Sequence, residues 1–251
     1  MSQSTESTTE SNPFTKPGFI IAAALVVALI AAALVIFLLP EGQDNAQPAP
    51  TSSAASGAAT PAKSADATGK SVCGLPSTSE TALGAAPKST WTLIDKMAAP
   101  TDPKTFGPGV IDEDGFRSCF AHSPTGALYA AANMVALGSA KSQALNAKLT
   151  DRLLVKGPGR DIAMKDSATM APSTGADTTV QICGFLVKSY TPAEADVDLA
   201  FETKNGALAH TVLPLRWIDG DWKAKVSDDG HLINDITQVS DLSAFIAWSG
   251  V

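Results

Sequence analysis

One uninterrupted apolar stretch constrains this chain more than any other feature. Residues Phe19 to Leu39 contain no charged or strongly polar side chain. A helix of that length would span roughly 30 Å, which is the thickness of the hydrocarbon core of a bilayer. Pro17-Gly18 precedes the stretch and Pro40 follows it, so both of its ends are sharply marked. The stretch therefore predicts a transmembrane helix.

A cleaved secretory signal is the alternative interpretation of this stretch. Such a signal has an apolar region of about 7–15 residues, a basic start and a small-residue cleavage site. Here the apolar run is longer, the start is weakly basic, and Asn45-Ala46-Gln47 is a poor cleavage site. No Cys directly follows the run, which argues against a lipoprotein signal. We therefore expect an uncleaved signal-anchor.

The charges that flank the helix predict its orientation. Lys16 and the α-amino group lie before it, and no Lys or Arg follows it until Lys63. Positively charged residues are retained on the cytoplasmic side of a membrane. We expect a single-pass protein of the cell membrane, with a cytoplasmic amino terminus and an extracytoplasmic carboxy-terminal domain.

Composition divides the chain into four segments. Residues 1–18 are predicted to be a disordered cytoplasmic tail, 19–39 the transmembrane helix, and 40–70 a disordered linker rich in Ala, Ser, Thr and Pro. Residues 71–251 are predicted to form one extracytoplasmic α+β domain. Three of the 18 basic and five of the 25 acidic residues precede this domain, which leaves it 15 and 20. No Lys/Arg cluster is present, so a nucleic-acid surface is not expected.

Helix signals dominate the middle of the domain. Ser123-Pro124 combines a capping hydroxyl with a proline in the first turn, which is typical of a helix start. This start predicts a helix from Thr125 to about Leu137, and a second helix is predicted over Lys141–Val155. Shorter predicted elements are strands at Thr90–Met97 and Phe116–Ala121 and a helical turn at Arg160–Met164.

The last third of the domain changes to the two-residue period of strands. The predicted strands are Thr179–Tyr190, Ala193–Thr203, Ala207–Ile218 and a shorter run that ends at Val226. Asn205-Gly206 and Asp219-Gly220 are typical of hairpin turns, so the strands should form an antiparallel sheet. Pro214 lacks a backbone donor, and its strand is expected to be bulged or locally unpaired there. A short helix is expected after Asp241.

Alternation along the second of these strands predicts which of its residues face the core. The predicted inward residues are Ala195, Val197, Leu199 and Phe201. Asp196 and Asp198 fall on the other face, where we expect solvated carboxylates rather than a catalytic pair.

The order of helices followed by an antiparallel meander, with the turn Trp217 to Lys223 (WIDGDWK), resembles a known fold. It is similar to the cystatin-like α+β roll, also called nuclear-transport-factor-two-like, in which a curved antiparallel sheet packs on helices. Among roll proteins with an amino-terminal anchor, the chain resembles the scaffold components of type IV secretion and conjugation machines. It also resembles the actinobacterial proteins associated with mammalian-cell-entry lipid transporters.

A second likeness is more specific. The run from Arg117 to Leu128 (RSCFAHSPTGAL), with Cys73-Gly-Leu-Pro upstream, resembles single-pass proteins carried on actinobacterial mobile elements. The resemblance implies a non-enzymatic scaffold or interaction component of a cell-envelope complex, of the conjugation or secretion type. An accessory role in lipid transport and a ligand-binding or enzymatic roll domain remain as alternatives. The implied partners are the membrane and other envelope proteins, and the Ala-rich transmembrane helix is compatible with a homo-oligomer.

Residues able to carry chemistry are few. His122 lies at a helix start, where packing or capping is expected, and His210 and His231 lack the spacing of a metal site. Ser123 lies in no Gly-x-Ser-x-Gly elbow. Tyr129 and Tyr190 have no evident inward carboxylate partner, as a roll enzyme would require. We therefore predict no catalytic, metal-binding or cofactor-binding residue, and no enzyme.

The three cysteines predict one disulfide. Disulfides persist outside the cytoplasm, and an odd count suggests one pair and one free thiol. Cys183 lies within an apolar strand and is expected to be buried as a small hydrophobe. Cys73 and Cys119 flank the first strand and are the predicted pair. A Cys119–Cys183 bridge and the absence of any disulfide remain as alternatives.

Overall fold

The computed structural model describes residues 69–169 and 180–250, and within them the chain folds as a mixed α+β domain. The helices are α1 (Pro124–Ser139), α2 (Gln143–Leu153) and α3 (Pro158–Thr169). The strands are β1 (Thr90–Ile94), β2 (Met97–Thr101), β3 (Val110–Ile111), β4 (Arg117–Ser118), β5 (Val180–Tyr190), β6 (Glu194–Thr203), β7 (Leu208–Ile218), β8 (Asp221–Ala224), β9 (Thr237–Val239) and β10 (Ile246–Ala247).

The predicted tail, transmembrane helix and nearly all of the linker lie outside the described residues. No helix within 69–169 or 180–250 combines the length and the apolar character needed to cross a bilayer.

The main sheet is antiparallel and contains the predicted four-stranded meander. Its strand order is β10-β5-β6-β7-β8, and β9 pairs with β7. The register between β5 and β6 shifts twice, between Ile182 and Gly184 and between Val187 and Ser189. Such bulges bend a strand and increase its twist, and they contribute to the curvature of the sheet.

Both predicted hairpins are present, but the two turns differ. At Asp219-Gly220 both residues have positive φ, 55° and 77°, as a two-residue type I′ turn requires. The other hairpin has a loop of three residues, because Gly206 N donates to Thr203 O and Thr203 N donates to Ala207 O. Gly206, at φ 79°, therefore follows the turn and is not at its centre.

Pro214 disturbs β7 less than its sequence suggests. It pairs with Asp196 without any register shift, so the expected bulge is absent. The carbonyl of Pro214 accepts from Lys225 N. The N and C=O of a strand residue point to the same side, so the nitrogen of Pro214 that carries no hydrogen also faces β8. The paired part of β8 ends at Ala224, opposite Leu215, so the missing N–H costs no strand pairing.

The core lies between α1 and the inner face of the sheet. Ser123 is the N-cap of α1 and accepts from Gly126 N, as predicted. The predicted inward residues of β6 are all buried there, among them Val197 and Leu199. Small alanine side chains on the helix allow it to approach the sheet closely.

Three elements differ from the sequence prediction. The predicted strand Thr90–Met97 is a hairpin instead, because the chain turns at Asp95, whose φ is 52°. The predicted turn at Arg160–Met164 is part of the longer helix α3. No helix follows Asp241. Its carboxylate accepts from Ser243 N in a local turn, and the chain then enters β10.

Candidate functional site

The predicted disulfide is present. Cys73 and Cys119 are bonded, with a Cα–Cα distance of 6.2 Å. Cys183 is free, but it is half-exposed and not buried as expected. It lies at the first bulge of β5, where the break in alternation turns part of it towards solvent. Burial raises the pKa of its thiol, and the charge of Glu202 raises it further, so the thiol stays protonated at neutral pH.

The carboxylate of Asp221 fixes the backbone at the disulfide. It accepts from Cys119 N at 2.8 Å, from Phe120 N at 2.9 Å and from Trp222 N at 2.9 Å. Cys119 has a φ of 65°, a strained conformation for a residue with a side chain. Burial raises the pKa of the Asp221 carboxyl, while its hydrogen bonds and the charge of Lys223 oppose that shift. The sequence did not predict that Asp221 holds the disulfide backbone. The only signal for it in the sequence is an acidic residue directly after the Asp219-Gly220 turn, in a motif with Trp217 and Trp222.

His122 packs in the core beside the same turn, as expected. Its ring stacks on Trp217, with 4.0 Å between the ring centroids. Its two nitrogens lie 2.5 Å from Pro192 O and 3.1 Å from Gly69 O. These contacts link Gly69 to the turn between β5 and β6 through the His122 ring.

Arg117, in the motif that carries the more specific resemblance, is a buried cation with neutral partners. Its guanidinium donates to Asn133 Oδ1 at 3.2 Å, to Thr92 Oγ1 at 2.9 Å and to Leu93 O at 3.2 Å. Its Nε has no hydrogen-bond partner. Burial lowers the pKa of this guanidinium. The side chain joins the β1–β2 hairpin to α1, which is a structural task.

The outer face of the sheet carries a His–Asp pair that contradicts the prediction of a solvated face. Asp198 is only 4% exposed, and its Oδ1 lies 2.8 Å from His210 Nδ1. The prediction is wrong because the carboxy-terminal segment crosses this face: Phe245 lies against Gly184 and meets the His210 ring edge-on at 5.7 Å. Asp196, which is half-exposed, accepts from Ser189 and fits the prediction better.

Within the part of the chain that the structure describes, neither tyrosine is hydrogen-bonded to a carboxylate. Tyr129 donates to Ser89 Oγ at 2.7 Å, and burial raises its pKa. Burial also raises the pKa of Tyr190, to about 12. His231 lies in an exposed loop. Across the described ranges, no group of three or more His, Cys, Asp and Glu side chains is placed to bind a metal ion.

A cleft of about 370 Å³ with a mixed polar and apolar lining opens where the ends of the helices meet the carboxy-terminal segment. Its polar and charged lining residues are Ser139, Lys141, Gln143, Asn146, Thr150, Asp166, Ser167 and His231. Asn146 Nδ2 donates to Ala140 O and Thr150 Oγ1 donates to Asn146 O, so part of this lining satisfies the helix backbone. The described residues that line the cleft do not form a recognisable catalytic or metal-binding group.

Exposed aliphatic side chains adjoin this cleft. Ile236 is 65% exposed, and Leu232 and Ile233 are also exposed. These three residues follow His231 in one short exposed segment. Exposed aliphatic side chains of this kind contribute nothing to the packing of the described domain, and they are suited to binding another molecule.

Comparison with known proteins gives one match. No curated protein and no solved structure matches the chain. Residues 49–247 match a family described as a domain of unknown function, DUF8175, and this match covers most of the chain. The chain therefore belongs to the DUF8175 family.

Proposed function

We propose that this protein is a non-enzymatic, membrane-anchored component of a cell-envelope complex. In this proposal Phe19–Leu39 anchors the chain, residues 40–70 form a spacer, and the domain binds other envelope proteins outside the cytoplasm. The scaffold proteins of conjugation and type IV secretion machines, which the chain resembles, provide the analogy.

The packing of α1 carries this proposal. Thirteen of its residues are buried, and the helix fills the space in front of the sheet. In enzymes of the cystatin-like roll, that space contains a pocket with acid and base groups. Here the buried polar residues of the helix bond to the protein itself: Tyr129 to Ser89, and Asn133 to Pro100 O. Binding at the domain surface is the function that this arrangement favours.

Two further observations support the proposal. The order of helices followed by a curved antiparallel meander agrees with the cystatin-like roll. The Cys73–Cys119 disulfide suits an oxidising compartment outside the cytoplasm. The two cysteines are 46 residues apart in sequence. Closing a loop of this size restricts the unfolded chain and so adds about 3–4 kcal/mol to the free energy of unfolding.

The test uses the full chain in membranes of its own cell. Gentle solubilisation and native electrophoresis should place it in a species much larger than its 25.7 kDa monomer. In wall-stripped intact cells, external protease should release a fragment beginning within residues 40–70. Alkylation before and after reduction should show Cys73 and Cys119 protected and Cys183 free. A soluble, monomeric chain with reduced Cys73 and Cys119 would contradict the proposal.

A further inference from the structure

The carboxy-terminal segment combines acidic and apolar residues, and its one basic side chain is that of His231. After Lys225 the chain contains no Lys or Arg. Over the same stretch it carries four aspartates, all exposed: Asp228, Asp229, Asp235 and Asp241. In the sequence, Asp228 and Asp229 precede the exposed Leu232, Ile233 and Ile236, and Asp235 lies among them. We call residues 228–239 the acidic apolar surface.

The backbone of this surface is anchored, so its apolar side chains are presented outward. Asn234 Nδ2 donates to Val212 O, and Thr211 Oγ1 donates to Asn234 O, both at 3.0 Å. Directly afterwards, β9 pairs with β7 over Thr237–Val239. Ile236 lies between these two attachments and cannot fold back into the core without breaking one of them. Its exposure is therefore a property of the fold.

Helix α3 extends the same surface. Gly230 packs so closely against α3 that a Cβ at this position would lie 3.1 Å from Ile162 Cγ2. Ile162 and Met164 are themselves exposed. Ile162 of α3 thus lies beside the start of the acidic apolar surface. The neighbouring residues of α3 carry both signs of charge, with Arg160 and Lys165 as well as Asp161 and Asp166.

We propose that the acidic apolar surface docks a basic, amphipathic segment of a partner protein. The argument is charge complementarity: a segment with Lys or Arg beside apolar side chains would pair with the aspartates and cover Ile236. A second copy of this surface would bring like charges together, and an anionic lipid surface would repel the aspartates. In addition, β9 has no strand on its outer edge within the described sheet, which leaves backbone groups for an added strand. This inference rests on the proposed function and names the partner's chemistry.

Site-specific photo-crosslinking in the full chain tests the inference. A photoreactive amino acid replaces Leu232 or Ile236, and the matched control replaces Leu93, which is 64% exposed on β1. Crosslinking is performed in native membranes, and the crosslinked peptide is sequenced. We expect adducts at 232 and 236, and not at 93, with a partner peptide that contains several Lys or Arg among apolar residues.

The charge requirement has its own pair of variants. Asp228→Asn with Asp235→Asn should lower the adduct yield at position 236 by about fivefold at low salt, because charges at an interface rim accelerate association. Glu113→Gln, an exposed acid on the loop between β3 and β4, should leave the yield unchanged.

The outcomes separate this inference from the proposed function. Adducts at position 93 with none at 232 or 236 overturn the inference and leave the proposed function intact. Adducts with an acidic or uncharged peptide, with lipid, or with a second copy of this chain also overturn the inference. No adduct at any of the three positions, together with a monomeric chain on native electrophoresis, overturns both.

Discussion

The carboxylate of Asp221 accepts a hydrogen bond from the backbone N–H of Cys119, 102 residues earlier in the chain, at 2.8 Å. The contact links the β7–β8 hairpin to the disulfide loop. It explains why an acid follows the turn Asp219-Gly220: both of its oxygens are used by backbone donors, and the disulfide is held against the sheet.

Asp221→Asn should destabilise the domain. An amide has one acceptor oxygen, so at least one buried backbone N–H would face an NH₂ group and lose its partner. The expected loss in the free energy of unfolding is about 1–3 kcal/mol, measured by urea denaturation. Asp219→Asn is the matched control, because this residue lies in the same hairpin but is exposed. Equal stability of the two variants would show that the hydrogen bond between Asp221 and Cys119 N does not stabilise the domain.

The buried Asp198 should matter more for stability than Asp196, two positions earlier. Asp198→Ala removes the hydrogen-bond partner of His210 under the carboxy-terminal segment and should cost about 1–3 kcal/mol. Asp196→Ala, on the same face but half-exposed, should stay within about 0.5 kcal/mol. Thermal and urea unfolding of the two variants compare them directly. A cost below that of Asp196→Ala would show that the hydrogen bond between Asp198 and His210 does not stabilise the domain.

The accuracy of the sequence prediction depended on how local each signal was. The strand Glu194–Thr203 was predicted correctly, apart from one residue at its start, because burial of one face imposes a two-residue period. The start of α1 was predicted because Ser123 caps it with its own side chain. The hairpin in Thr90–Met97 was missed because its turn uses Asp95 at positive φ instead of a glycine.

The errors at candidate sites arose from contacts between distant parts of the chain. Asp198 is buried by a segment that lies more than thirty residues later and carries no regular pattern. The partners of Asp221 could not be deduced either, since nothing local indicates which backbone groups a carboxylate will meet. The cysteine pairing could be predicted, because Cys183 lay in a strand and the other two residues flanked the first strand.

Lys148 should make stability depend on pH in the acid range. Its ammonium lies 3.1 Å from Asp112 Oδ2 and 2.6 Å from Asp114 Oδ2. Its hydrogen bonds are the main cause that lowers the pKa of both carboxyls. A lowered folded-state pKa adds stability that is complete above the ordinary value, about 3.9 for Asp, and disappears as the pH falls through the lowered value.

Lys148→Met should therefore be less stable than the unmodified chain at neutral pH. The difference should narrow as the pH falls below the ordinary range of Asp, and it should also narrow in 1 M salt, where the Debye length is about 3 Å. Urea unfolding at several pH values measures it. Lys104→Met, at an exposed loop position, is the control and should show no such trend. A difference independent of both pH and salt would indicate that Lys148 acts through its aliphatic stem.

Trp248 should attach the carboxy-terminal segment to the core. Its ring centroid lies 4.6 Å from Trp91, 5.4 Å from Phe185 and 5.9 Å from Tyr129, and its Nε1 donates to Ser89 Oγ at 3.1 Å. Trp248→Ala leaves a large cavity beside these rings and should cost about 3–5 kcal/mol. Trp91→Ala, at a half-exposed ring, should cost less. Hydrogen exchange should show faster exchange at the β10 amides in Trp248→Ala. Unchanged protection there would mean that the segment is held by its outer-face contacts alone.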